Sequence, residues 1–307
     1  MFDASTSTRL TALERLSPPD EALAPPTTLI RGLDEPYVVD DALRGRFDRD
    51  GHVVLPGFVP PDVLAAFAGP LETIADRVYE PLTARERTLY MGDSLWTRDP
   101  LAKQFVTAPR FARAAAELLN VPAVRLWRDV GFFKGPGGDR TPWHQDSFWE
   151  PLDGSTMITV WIALEDVSPD MAPLAFVTGS HHRGCVGLVD HNDDAQERHR
   201  AMLEQEGHVI ADHAPLRAGD ATVHFGWTLH AADANRSARR RKAVSILYFP
   251  DGARVSVPER PACSAEEEAA WQEVHLHHMQ ERLTGLAIGD LAASERCPIV
   301  FSRGRGS

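Results

Sequence analysis

Apolar residues recur at helical spacing early in the chain and at strand spacing from Arg125 onward. Val63, Phe67, Leu71, Ile74 and Val78 fall at intervals of four, four, three and four, which makes one apolar stripe on a helix. Pro60-Pro61-Asp62 opens that helix, and Pro70 inside it predicts a kink. Before it, Asp40 or Asp41 caps a short helix that ends before Gly51, and His52 to Leu55 reads as a strand. Another helix is expected over Pro109 to Leu119, with Asn120 as its stop. The later texture is a series of short β-rich runs: Arg125 to Lys134, Met157 to Val167, Leu174 to Val177, Ala221 to Phe225 and Ala243 to Phe249. Gly135-Pro136-Gly137-Gly138 and Gly179-Ser180 punctuate them, and a final helix is expected from Ala265 to Leu283. Many short strands between helices predict a mainly β sandwich or barrel braced by flanking helices.

Two segments stand outside this pattern. Residues 1 to about 36 carry Pro18-Pro19 and Pro25-Pro26 among Ser and Thr, which predicts an irregular N-terminal arm, with residues 37–307 as a single domain. Residues 190–215 interrupt the strands with a long charged insertion, helical from Ala195 to Glu206; loops of this length in compact domains are often functional, for example as lids, and a lid is expected here.

Composition narrows the function. The 307 residues can bury a sizeable core, and the net charge of -12 opposes nucleic acid and anionic membranes as partners. The cysteines, Cys185, Cys263 and Cys297, form no CxxC pair, so neither a disulfide framework nor a structural zinc site is expected. The chain opens without a basic region followed by an apolar run, and no apolar stretch is long enough for a bilayer, so a cytoplasmic protein is expected.

The chemistry gathers at Trp143-His144-Gln145-Asp146. In an extended run, residues i and i+2 share a face, so the His144 imidazole and the Asp146 carboxylate aim at one point. One distant histidine would complete a facial triad, which leaves adjacent metal positions open for a chelating 2-oxo acid and O2. His-x-Asp alone is a weak signal. A second copy stands at His191-Asn192-Asp193, among the solvated charges of Asp190, Asp193 and Asp194. The surroundings favour the first copy: a glycine-rich turn before it, a strand after it, and downstream a stretch from Gly219-Asp220 that reads as a strand ending at His230. Asn235-Arg236-Ser237 then forms a turn, and Arg241-Lys242-Ala243 enters the next strand.

These stretches resemble the phytanoyl-CoA dioxygenase family. The resemblance rests on Lys134 before the Gly/Pro turn, His144-Gln145-Asp146, Trp161 within Val160 to Asp166, Gly179-Ser180-His181, His230, Asn235-Arg236-Ser237 and Arg241-Lys242-Ala243. It covers residues 40 to 250 and reaches back weakly to Phe47 to Gly57. It implies a double-stranded β-helix, a cupin-like jelly roll, with His144, Asp146 and His230 as Fe(II) ligands. It further implies 2-oxoglutarate and O2 as co-substrates, Arg241 on the far carboxylate, and Trp161 in the co-substrate pocket beside Lys134. A guanidinium fork suits a carboxylate, but Arg239 and Arg240 adjoin Arg241, and the choice among them rests on the family spacing. Two departures stand out. The family's small hydroxyl residue two positions after the distal histidine is Ala232 here, a role that Ser245 could take over, and its Asn-Gly turn reads Asp170-Met171-Ala172-Pro173.

The expected reaction is oxidation of an unactivated C–H bond of a small, largely hydrophobic metabolite, a hydroxylation above all, with release of succinate and CO2; an acyl thioester is the alternative substrate. The carboxylate of Asp146 favours hydroxylation, desaturation or cyclisation over halogenation. Phe148, Trp149, Trp227 and Phe133 are aromatic and core by default, and they are also the candidates for the substrate pocket. His52, His181, His182, His208, His213 and His224 are expected to be structural, and His275, His277 and His278 to be helix-surface histidines rather than a metal cluster. The rivals are a zinc hydrolase on the same ligands, which needs neither Arg241 nor Trp161, and a β-barrel binding protein without catalysis.

Overall fold

A computed structural model of the chain describes residues 31–79, 89–153, 157–186, 193–257 and 265–304. Most of the N-terminal arm, Cys263 and the His191-Asn192 pair therefore lie outside the described residues.

The helices begin where local chemistry dictates. Helix α1 (Asp41–Asp50) is capped by Asp40, whose carboxylate accepts from the Leu43 amide at 2.7 Å. It stops at Gly51, which takes the left-handed conformation (φ 81°) that suits glycine at that position. Strand β1 (His52–Leu55) follows, then helix α2 (Pro61–Tyr79), which runs on through Pro70. Strand β2 (Leu89–Asp93) and helix α3 (Pro100–Val106), capped by Asp99, were not legible in the apolar spacing. Helix α4 (Pro109–Leu118) ends before Asn120, which turns the chain at φ 52°.

The strands form two antiparallel sheets. The longer ones are β3 (Ala123–Lys134), β5 (Ile158–Ala163), β8 (Ala221–Phe225) and β10 (Arg241–Pro250), with β11 (Ile299–Ser302) near the C-terminus. They build a seven-stranded major sheet in the order β1-β8-β5-β10-β3-β11, with β2 also paired to β3. The minor sheet holds β4 (Thr141–His144), β9 (His230–Ala232), β6 (Leu174–Val177) and β7 (Ile210–Asp212) in the order β4-β9-β6-β7. This is the jelly roll expected from the resemblance.

Alternation sorts the major sheet into two faces. Val160, Ile162, Val223, Val244, Ile246 and Phe133 point into the main core against α2, α3 and α4. Trp161, Ala163 and Ala243 point the other way and pack on Leu174, Phe176 and Ala232 of the minor sheet. The second face is the interior of the β-helix.

Three expectations need correction. The stretch from Gly219 to His230 is two strands: β8 ends at Phe225, the chain turns through Gly226, Trp227 and Thr228, and His230 opens β9 in the other sheet. The run from Met157 to Val167 is a strand only over Ile158–Ala163. In the 190–215 insertion, helix α5 (Asp193–Gln205) is present, but Ile210–Asp212 joins the minor sheet beside β6. Three residues are too few to show alternation in sequence. No helix among the described residues is long and apolar enough to cross a membrane.

The turn into β8 gives a direct test of the register. Gly219 sits at φ 91°, where an added Cβ would lie 2.4 Å from the Val59 carbonyl oxygen. Gly219→Ala is expected to cost about 2–4 kcal/mol in denaturant unfolding, from left-handed strain plus displaced backbone. Gly137→Ala has a similar φ of 70° but meets nothing within 4 Å, and it should cost only about 1 kcal/mol.

Candidate metal centre

His144 closes β4 and His230 opens β9, and the two stand opposite each other in the pairing of those strands. Asp146 follows two residues later, in a short helical turn over Asp146–Phe148. His144 Nε2 and His230 Nε2 each lie 3.7 Å from Asp146 Oδ1, and the imidazole centroids are 4.1 Å apart. The ligand atoms of this trio all fall within 4.8 Å of one another.

Hydrogen bonds decide which atoms face inward. His144 Nδ1 lies 2.7 Å from the Pro142 carbonyl oxygen, and His230 Nδ1 lies 2.9 Å from that of Thr228. A carbonyl oxygen only accepts, so each Nδ1 carries the hydrogen, and each Nε2 presents a lone pair toward Asp146. Burial lowers the pKa of both rings, which keeps them neutral. Asp146 Oδ2 is occupied elsewhere: it accepts from Thr159 Oγ1 at 2.6 Å and from His224 Nε2 at 3.1 Å. Burial would raise this carboxyl's pKa, but the facing His230 and the His224 hydrogen bond outweigh it and hold the pKa well below the ordinary range. Oδ1 is therefore left as an ionised donor between two neutral nitrogens. Two imidazoles and one carboxylate on one side of a point suit Fe(II) with open positions.

Gly226 ties the two ligand-bearing turns together. Its carbonyl accepts from the Ser147 amide at 3.0 Å, its amide donates to the Met157 carbonyl at 2.8 Å, and a Cβ there would lie 2.0 Å from Ser147 Oγ.

A second group of polar residues lies on the inner face of the major sheet. Arg241 and Lys134 are opposite each other across β10 and β3, and both are buried. Arg241 Nη1 donates to the Ala172 carbonyl, its Nε has no partner, and its guanidinium lies over the Trp161 ring at 5.3 Å. Ala172 takes a left-handed conformation where the family reads Asn-Gly, and this turns its carbonyl onto the arginine. Burial lowers Arg241 to about 10; burial and then Arg241 itself lower Lys134 to about 7. Among the described residues, Lys134 Nζ reaches the Asp233 carbonyl at 3.0 Å and Thr141 Oγ1 at 3.4 Å. Among the described residues no carboxylate is paired with either of these two buried basic groups. Ser245 is buried in register with Trp161, and Thr141 lies opposite Ala232, where it offers the hydroxyl that Ala232 lacks.

The remaining candidates divide. Phe148 is buried and Trp149 half-buried beside the metal turn, with their rings edge to face at 5.0 Å. Trp227 is half-buried in the turn between β8 and β9. Phe133 faces the opposite side of β3, packed in the main core under Arg240, so it does not line an inner pocket. His278 is not a surface histidine: it is buried, with Nε2 3.3 Å from Glu150 Oε2. His224 has more than a packing role, since it holds Asp146. Strand alternation carried a signal for it: Thr222 and His224 are polar on one face of a strand whose Ala221 and Val223 are core.

The family model for phytanoyl-CoA dioxygenase matches residues 47–243. An L-proline trans-4-hydroxylase from Streptomyces griseoviridis is 27% identical over 172 residues, covering 49% of this chain and 63% of that protein. A phytanoyl-CoA dioxygenase from Arabidopsis thaliana is 29% identical over 161 residues, covering 51% and 55%. The chain thus spans less than two thirds of the length of these curated relatives. Among solved structures, the non-heme alpha ketoglutarate dependent carbocyclase SnoK from nogalamycin biosynthesis superposes with a TM-score of 0.66 at 22% identity, covering 86% of this chain and 99% of that one. That likeness establishes the fold.

The supports of Asp146 are testable apart from the ligands. Thr159→Val keeps shape but removes the donor to Oδ2, and it is expected to weaken Fe(II) binding about tenfold in anaerobic titration, with little change in fold. Gly226→Ala should weaken Fe(II) binding more, because Ser147 must move and Asp146 adjoins it.

Proposed function

The chain belongs to the phytanoyl-CoA dioxygenase family, and on that premise we propose that it is an Fe(II)- and 2-oxoglutarate-dependent oxygenase acting on a small-molecule C–H bond. The observation that carries this reading is the pairing of two incomplete sites, one borne by the minor sheet and the turn after β4, the other by the inner face of the major sheet. One is a two-nitrogen, one-oxygen metal donor set. The other is a pair of buried cations with no carboxylate. A zinc hydrolase has no use for the second site; a dicarboxylic 2-oxo acid needs both.

His144 Nε2, Asp146 Oδ1 and His230 Nε2 would hold the iron. Arg241 and Lys134 would take the far carboxylate of 2-oxoglutarate, and Trp161, Thr141 and Ser245 would wall or bond its pocket. Iron loaded with 2-oxoglutarate and O2 supplies the oxidising chemistry, with succinate and CO2 as by-products. The protein's own work is placement and exclusion of water. Trp161, Phe176, Ala232 and Ala243 form one apolar cluster between the sheets, so the walls between the far cations and the metal ligands would be apolar. Phe148, Trp149 and Trp227 are the candidates for contact with a largely hydrophobic substrate. Helix α5 covers the minor sheet behind His144: Leu203 packs with Trp143, and the Arg200 guanidinium lies over the Trp143 ring at 5.5 Å. Trp143 and Leu203 share this outer face of the minor sheet with Val177, Leu229 and Ala231, so α5 would brace the ligand-bearing strands from behind.

Anaerobic absorption spectroscopy tests the assignment. Wild type loaded with Fe(II) should develop a visible charge-transfer band on adding 2-oxoglutarate, and His144→Ala should not. Arg241→Ala should need about tenfold to 100-fold more 2-oxoglutarate, the range expected for a lost charge-assisted bond. No band in wild type at saturating co-substrate would overturn the assignment.

Lys134 adds a linkage prediction. Its folded pKa of about 7 lies below the unfolded value, so between those values the unfolded chain binds the extra proton and stability gains with rising pH. Lys134→Met is therefore expected to unfold at a higher temperature than wild type at pH 7, with the gap narrowing toward pH 9, while binding 2-oxoglutarate more weakly.

A further inference from the structure

The inner face of the major sheet is organised in rungs, and one charged residue on the metal's rung has no part in the account above. In register, His52 of β1 stands beside His224 of β8, His224 beside Thr159 of β5, Thr159 beside Leu247 of β10, and Leu247 beside Arg128 of β3. Thr159 and His224 are the residues that hold Asp146. Arg128 therefore shares the rung of the metal-binding carboxylate, two strand spacings or about 10 Å from Thr159. An arginine side chain crosses much of that span. The charge of Arg128 acts on His144, and that of Asp146 acts on Arg128.

The guanidinium is poorly held. Its acidic neighbour is Glu150, with Nη2 3.3 Å from Oε1; Nε is buried without a partner, and among the described residues none of its N–H groups makes a hydrogen bond. Arg282, in the same ionic chain, is saturated by contrast: it reaches Asp93, Ser94 Oγ at 2.9 Å and His278 Nδ1 at 3.4 Å. Glu150 is shared, since its other oxygen lies 3.3 Å from His278 Nε2. Burial pushes the Glu150 carboxyl up to about 7 against the pull of Arg128, and Asp93, Asp146 and Asp129 also act on the guanidinium by their charge. The side chain of Arg128 is 21% exposed and that of Glu150 1%, so the open side of the pair is the cation. Nε is the donor walled off from water, and it calls for an acceptor, while the other N–H groups face the open side.

We propose that Arg128 is a further carboxylate-binding cation of the site, placed at the metal end of the inner face as Arg241 and Lys134 are at the far end. The inference rests on the iron and 2-oxoglutarate assignment. The carboxylate has two possible sources with the same chemistry: the reacting end of 2-oxoglutarate, or an acid group carried by the primary substrate. The second source would make the substrates small apolar carboxylates.

The test uses the full chain loaded anaerobically with Fe(II). Arg128→Gln and the double variant Arg128→Gln/Glu150→Gln, which leaves no unpaired buried carboxylate, are compared with wild type. Thermal unfolding followed by circular dichroism confirms that at least one of them folds. The first arm titrates 2-oxoglutarate against the charge-transfer band. The second holds 2-oxoglutarate saturating and titrates hexanoate, benzoate and cyclohexanecarboxylate, each beside its primary amide, reading the shift of that band. A rise of tenfold or more in the 2-oxoglutarate needed by the folded variant assigns Arg128 to the co-substrate. Unchanged 2-oxoglutarate binding, with a wild-type response to an acid but not its amide that the variant loses, assigns it to the substrate. If neither arm differs between wild type and the folded variant, Arg128 serves only as the counter-charge of Glu150 and the proposal is overturned. If wild type shows no band at all, the oxygenase assignment has failed and the proposal falls with it, a result distinct from the preceding one.

Discussion

Everything at the centre of this protein depends on how the two oxygens of Asp146 are divided. Oδ2 is held by Thr159 and His224 from the floor of the major sheet, and this fixes the carboxylate and leaves Oδ1 facing two imidazole nitrogens. The imidazoles are fixed in turn from behind, by carbonyls of their own turns. The ligands arise from the minor sheet and the turn after β4, and their orientation is set by the major sheet. The centre therefore exists only when the two sheets are stacked, and folding and ligand geometry are one constraint.

The same stacking explains why cations survive in the interior. A guanidinium and an ammonium buried without a carboxylate are costly, and proteins ordinarily avoid them or pair them. Here Arg241 is oriented by the Ala172 carbonyl and the Trp161 face, while Lys134 is held by the Asp233 carbonyl. Those contacts orient the charges without neutralising them. Such a site is unfavourable when empty, and it gains most from a ligand that brings the missing negative charge. Elsewhere the protein does neutralise: Arg240 and Lys242, which flank Arg241 and face the other way, meet Glu72 and Asp76 of α2. The alternation of β10 is what separates a solvated salt bridge from a ligand site one residue away.

That alternation also marks how far the sequence could be read. His144 and Asp146 were legible because two residues in one short run suffice to aim at one point. Arg241 was distinguished from Arg239 and Arg240 only through the family spacing, since a triple arginine carries no phase of its own. The ligand candidate His230 reads in sequence as the end of a strand but opens β9 instead, because Gly226 to Thr228 turns the chain without a Pro or a paired turn signal. The His224 bond to Asp146 went unseen, as did Glu150 between Arg128 and His278, because these partners come from separate strands or helices and meet only through register. His278 looked like a surface residue because its neighbours His275 and His277 share its helix, and helical spacing alone does not say which of them turns inward.

The inner face thus carries charge at both ends and apolar walls between. At one end are Lys134 and Arg241; then Ala243 with Ala163, next Trp161 with Ser245, and finally the rung of Thr159, His224 and Arg128. A molecule lying along this face with a carboxylate at its far end meets a cation first, an aromatic and small apolar wall along its length, and the metal ligands at the other end. The rung order fixes direction as well as affinity: reversing the ligand would set a carboxylate against Trp161 or leave the cations empty. On the proposed assignment, this polarity of the sheet would make a three-ligand centre selective for one class of chelator. The ligand atoms alone do not encode it.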